Sequence, residues 1–122
     1  MKGKGFHFRL FYGFSGIRAA LRFESSFRIQ VFAALLTLIS IFLLRPPLIW
    51  TALIVIMICL VLFAELFNTA LEHTLDGLHP NEASFVKIAK DCSAGAVLIL
   101  SLSALVVYIL MLVTIFGLEP TR

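Results

Sequence analysis

Three long apolar segments without a charged residue constrain this chain more than any other feature. They run from Ile29 to Leu44, from Leu48 to Ala64 and from Cys92 to Leu118. A helix needs about 20 residues to cross the hydrocarbon core of a bilayer, with a range of about 17–25. The third segment is long enough, and the first two become so when flanking residues such as Phe27 and Glu65 are included. The pattern therefore predicts three transmembrane helices.

The composition argues against a soluble domain. Of the 122 residues, 61% are hydrophobic and only 14% are charged, whereas a soluble domain this small is mostly surface. A cleaved signal peptide is disfavoured, because the apolar segment begins only at Ile29 and no small-residue cleavage site follows it. We expect one all-α membrane domain over residues 1–122.

The N-terminal segment, residues 1–28, is predicted to be an amphipathic helix on the membrane surface. It contains most of the basic side chains, namely Lys2, Lys4, Arg9, Arg18, Arg22 and Arg28. Apolar residues recur among them at helical spacing, at Leu10, Phe14, Ile17 and Leu21. Such a helix lies in the interface with its cations toward lipid phosphates. A nucleic-acid partner is not expected, because the charges are sparse and the Phe residues follow the apolar stripe.

The predicted spans are residues 29–45, 48–76 and 82–118, the last with a polar cytoplasmic lead-in. Arg45-Pro46-Pro47 should form a tight turn, since proline cannot continue a helix. Gly77 is expected to end the second helix as a left-handed cap. Basic residues gather at the N-terminus and in the connection after the second span. The positive-inside rule therefore places the N-terminus in the cytoplasm, in a multi-pass protein of the cytoplasmic membrane.

A polar face on the second span is the strongest functional signal. Its members are Glu65, Asn68, Glu72 and Asp76, at positions i, i+3, i+7 and i+11. Because each residue turns a helix by about 100°, this spacing places all four side chains in one sector of the helix. Glu65 directly follows the uncharged segment, so it should lie at or just inside the interface. An ionisable group at that depth is costly and by default indicates function. A solvated helix end would explain Glu72 and Asp76 alone, but not all four residues.

Glu24, before the first span, and Lys90-Asp91, at the start of the third, are expected at the same membrane level as the polar face. Mg²⁺ takes one or two carboxylates plus phosphate oxygens, a lysine balances phosphoryl charge, and a further carboxylate can accept a hydroxyl proton. No Walker or kinase-type glycine loop occurs. A non-enzymatic ion-binding membrane protein is the alternative, although the apolar outer half of the second span, residues 48–60, disfavours a conducting path.

The segment Glu65–Glu72 reads ELFNTALE. It resembles the E-x-x-N-[ST]-A-[IL]-E signature of the small prokaryotic integral-membrane lipid kinases, the diacylglycerol kinase and undecaprenol kinase family. Ala89-Lys90-Asp91 with the small residues after it, and Glu24-x-x-Phe27-Arg28 upstream, also fit the family. The similarity runs in order and without gaps over roughly residues 8–112.

The resemblance implies an ATP- and Mg²⁺-dependent kinase for a membrane lipid alcohol, built as a homotrimer with active sites shared between neighbouring subunits. Carried over residue by residue, the general base would be Glu65 and the metal carboxylates Glu24 and Glu72. Residues that orient nucleotide and substrate would be Asn68, Asp76, Lys90 and Asp91.

The expected identity of the acceptor lipid depends on which branch of the family the chain resembles more. After Phe27-Arg28 the proteobacterial diacylglycerol kinases read Gln-Glu and the Gram-positive undecaprenol kinases typically read Ile-His, whereas this chain has Ile29-Gln30. Ile29 and residues 86–91 resemble the undecaprenol branch, while Gln30 matches neither. Undecaprenol is therefore favoured, with diacylglycerol as the alternative.

Overall fold

The computed structural model describes residue 3, residues 5–81 and residues 83–117. Four helices follow one another: α1 (Phe6–Phe23), α2 (Ser25–Leu44), α3 (Leu48–Leu78) and α4 (Ser84–Ile115). The described residues contain no strand. By length and composition, α2, α3 and α4 can each cross a membrane. The prediction of an all-α protein with a leading helix and three apolar spans is therefore confirmed.

Two short connections set the directions of the first three helices. Glu24 has an extended backbone (φ −113°, ψ 109°), so α1 ends there and α2 begins at Ser25, earlier than the residue-29 start expected from charge alone. Arg45 adopts the left-handed conformation (φ 51°, ψ 57°) and its N–H donates to the Ile41 carbonyl. Pro46 and Pro47 then fix the turn into α3, because neither can continue a helix.

The predicted left-handed cap at Gly77 is wrong. Among the described residues, positive φ angles occur only at Gly3, Arg45 and Gly117. Helix α3 instead continues to Leu78, and His79 is its C-cap with a φ of −143°. Proline disfavours helical geometry in the residue before it, so Pro80 ends the helix through His79.

Within one chain, the most extensive packing is between α3 and α4. Most large apolar side chains lie on the outside of the bundle. A small core of Ile41, Ile54 and Met111 joins α2, α3 and α4 near the proline turn. Beside it, the hydroxyls of Ser40 and Tyr108 form a 2.6 Å hydrogen bond between α2 and α4. Large apolar side chains on the outside suit lipid or further subunits as neighbours.

Several expectations fall outside the described residues. These are the span boundaries at residues 82 and 118 and the basic side chains of Lys2 and Lys4. The homotrimer stays a prediction.

Candidate functional site

Glu65 is the one buried charged side chain in the described part of the chain, with 4% of its surface exposed. It lies on α3, where the apolar stretch of that helix meets its polar end. The side chain of Gln30 on α2 lies within hydrogen-bonding reach of it, and Glu24 and Glu72 are near enough to act on its charge. A buried carboxylate with an amide partner and two neighbouring carboxylates is a typical candidate reactive group.

The next two members of the polar face are linked along α3. The Asn68 amide donates to a Glu72 carboxylate oxygen at 3.0 Å. This i, i+4 contact shows that the two side chains share a helix face, as their spacing predicts.

Lys90 connects the polar face to α4. Its Nζ donates to a carboxylate oxygen of Asp76 at 2.7 Å, which puts a cation beside the outermost acid of α3. Asp91 is placed differently, because its carboxylate pairs with Lys87 of its own helix at 2.7 Å and both side chains are exposed. Of the two predicted α4 residues, Lys90 thus contacts the polar face and Asp91 faces solvent.

Glu24 has a partner that the sequence did not reveal. Its Oε1 lies 3.2 Å from Nε2 of His73 on α3. His73 follows Glu72 in the sequence and is turned about 100° from it around the helix. The two residues are 49 positions apart, so no sequence spacing could have joined them. The contact ties the bend between α1 and α2 to the polar end of α3.

The carboxylates of the site suit a magnesium ion that also binds phosphate oxygens, rather than a metal held by protein ligands alone. No group of three or more His, Cys, Asp or Glu side chains that could hold a metal occurs within the described residues. Mg²⁺ commonly takes only one or two protein carboxylates and completes its shell with phosphate oxygens and water. Glu24 and Glu72 fit that role by chemistry.

Two cavities adjoin the site. One of about 370 Å³ lies between α1 and α3 and includes Glu24 and His73 in its wall. The other, of about 240 Å³, lies among α2, α3 and α4. Its wall is mainly apolar, with polar groups from Gln30, Thr37, Ser101 and Tyr108. The site is thus bordered by a groove under the surface helix and by a cavity within the membrane-spanning bundle.

Comparison with known proteins gives a consistent result. The profile of the family described as prokaryotic diacylglycerol kinase matches residues 11–112. The chain is similar to a diacylglycerol kinase of Synechocystis sp., with 36% identity over 79% of this chain, and it spans 55% of that relative's length. An undecaprenol kinase of Bacillus subtilis is 34% identical over 78% of this chain and 77% of its own. A diacylglycerol kinase of Escherichia coli is 30% identical over 87% of each chain.

Proposed function

Because this chain belongs to the prokaryotic diacylglycerol kinase family, a family of lipid kinases and hence phosphotransferases, we propose that it transfers the γ-phosphoryl group of ATP to the hydroxyl of a membrane lipid alcohol. The observation that carries the proposal is the buried Glu65 carboxylate at the polar end of an apolar span. Asn68, Glu72 and Asp76 follow it along the same helix, and Lys90 of α4 pairs with Asp76.

Glu65 is assigned as the general base. The lipid hydroxyl gives its proton to a Glu65 carboxylate oxygen while its own oxygen attacks the γ-phosphorus. An O–P bond forms, the bond from the γ-phosphorus to the β,γ-bridging oxygen breaks, and ADP leaves with that electron pair. Glu65 then returns its proton to solvent. Burial suits this role, because a base at the apolar boundary can meet a hydroxyl that arrives from the bilayer.

The remaining predicted residues are assigned to the nucleotide side. Glu24 and Glu72 would hold Mg²⁺, which when bound neutralises charge on the phosphates. Lys90 would balance phosphoryl charge, with Asp76 holding its ammonium group in place. Asn68 and Asp91 complete the set that orients nucleotide and substrate.

Undecaprenol is proposed as the preferred acceptor over diacylglycerol. The named relatives include both kinds of kinase, so the choice depends on Ile29 and residues 86–91. The wall of the cavity among α2, α3 and α4 is mainly apolar, which suits an isoprene chain. Diacylglycerol would bring ester carbonyls that need hydrogen-bond donors.

The same proposal includes a homotrimer in the cytoplasmic membrane with a cytoplasmic N-terminus. Only 6% of the apolar window of α4 is buried within one chain, which leaves most of that helix for lipid and neighbouring subunits. Basic residues near the polar end of α3, among them Lys87 and Lys90, support a cytoplasmic location for this end by the positive-inside rule.

One experiment tests the proposed function and its acceptor together. Detergent-solubilised protein is incubated with ATP and Mg²⁺ and with undecaprenol, diacylglycerol or ceramide. A phosphorylated lipid is expected, with most product from undecaprenol. If none of the three is phosphorylated, the alternative of a non-enzymatic ion-binding protein is favoured instead.

A further inference from the structure

Gln30 connects the proposed general base to a helix on the other side of the bundle. Its side chain extends from α2, lies within hydrogen-bonding reach of Glu65 on α3, and donates from Nε2 to the Ser101 hydroxyl on α4 at 3.2 Å. A primary amide carries two N–H donors on its nitrogen, so one Gln30 nitrogen can serve both partners. The three side chains therefore link α2, α3 and α4 at the level of the base.

Glu65 needs such a partner more than an exposed carboxylate would. It is 96% buried, since only 4% is exposed, and a buried charge without hydrogen bonds is strongly destabilising. The amide of Asn68, its neighbour along α3, donates to Glu72. An amide at position 30 supplies a donor without adding charge, whereas a carboxylate there would repel Glu65.

From this geometry we propose that Gln30 is a positioning residue for the reaction, and that Ser101 anchors Gln30. The inference rests on the proposed function, since it takes Glu65 to be the base. Gln30 holds the Glu65 carboxylate in one orientation beside the cavity among α2, α3 and α4, whose wall it shares with Ser101. A base must lie within hydrogen-bonding reach of the proton that it accepts, and a displacement of about 1 Å can cost about 10²-fold in rate.

The test measures kcat and KM separately for Gln30→Leu, Ser101→Ala and the double variant. Gln30→Leu keeps a similar volume and removes the donor, so kcat should fall by about 10- to 100-fold while KM for ATP stays unchanged. Ser101→Ala should lower kcat less, because the direct contact between Gln30 and Glu65 remains. In the Gln30→Leu background Ser101→Ala should have no further effect, since residues in one network are not additive.

A matched control separates this role from general packing. Ser103→Ala removes an α4 hydroxyl that donates to the Ile99 carbonyl of its own helix, and Ser103 lies in the wall of neither cavity. This variant should keep the wild-type kcat. Independent, multiplying effects of Gln30→Leu and Ser101→Ala, a wild-type kcat in Gln30→Leu, or an equal loss in Ser103→Ala would each overturn the proposal.

A second measurement keeps the inference separate from the proposed function. A lipid-soluble carbodiimide that reacts with buried carboxyl groups is applied, and labelling of Glu65 is followed by mass spectrometry. Faster labelling in Gln30→Leu and Ser101→Ala than in wild type and Ser103→Ala supports the positioning role, even if the wild type phosphorylates no lipid. Equal labelling rates in the wild type, Gln30→Leu, Ser101→Ala and Ser103→Ala would overturn it.

Discussion

Replacement of Glu65 by glutamine removes the proposed base and changes the surrounding structure little. The two side chains are nearly isosteric, and the new amide oxygen can still accept from Gln30. A neutral amide is also less costly than a carboxylate at a site that is 4% exposed. Glu65→Gln should therefore fold and assemble like the wild type, and any loss of rate should reflect chemistry.

The expected loss in kcat for Glu65→Gln is about 10²–10⁴-fold, the usual contribution of general base catalysis. At 1.36 kcal/mol per factor of ten, this corresponds to about 3–5 kcal/mol in the activation free energy. The assay is release of ADP with saturating lipid alcohol, and KM for ATP should be unchanged because Glu65 is not assigned to the nucleotide. Retention of the wild-type kcat, or a loss seen only in KM for ATP, would refute the role given to Glu65.

Three further predictions concern the metal, the acceptor and the helix packing. Glu24→Gln and Glu72→Gln should each need more Mg²⁺ for half-maximal rate, because one of few hard-oxygen ligands is lost; an unchanged Mg²⁺ titration with only a lower plateau would contradict the metal assignment. In mixed micelles with both lipids, kcat/KM should be higher for undecaprenol than for diacylglycerol, and the opposite preference would reverse the acceptor assignment alone. Tyr108→Phe breaks the 2.6 Å bond to Ser40 and should lower the free energy of unfolding by about 0.6 kcal/mol, at most about 1.7, with kcat unchanged; a large loss of kcat would place that bond within the active-site support.

The fold was predictable because its main determinants are local. The length of the uncharged segments predicted α2, α3 and α4. Helical spacing predicted that Asn68 and Glu72 share a helix face, and their 3.0 Å contact confirms it. The Gly77 cap failed because two local signals competed, and Pro80, acting on His79, ended the helix instead of the glycine. Local patterns thus predict which elements form better than where each one ends.

The contacts that complete the candidate site were not predictable from spacing. His73 meets Glu24 across 49 positions, and Gln30 meets Ser101 across 71. Such pairs depend on how each helix is rotated and on the bend at Glu24, which packing of several helices determines together. Gln30 stood out in the sequence as a departure from the family pattern, but its partners became visible only in three dimensions.

Label transfer tests the central claim most directly. Protein in liposomes that contain a lipid alcohol is incubated with Mg²⁺ and with ATP carrying radioactive phosphorus at either the γ or the α position, in parallel with Glu65→Gln. The γ label should appear in the organic phase as a phosphorylated lipid with the wild type and nearly disappear with Glu65→Gln, while the α label should stay in the aqueous phase. Absence of the γ label from the lipid, or equal transfer by Glu65→Gln, would contradict the account of a lipid kinase that uses Glu65 as its base.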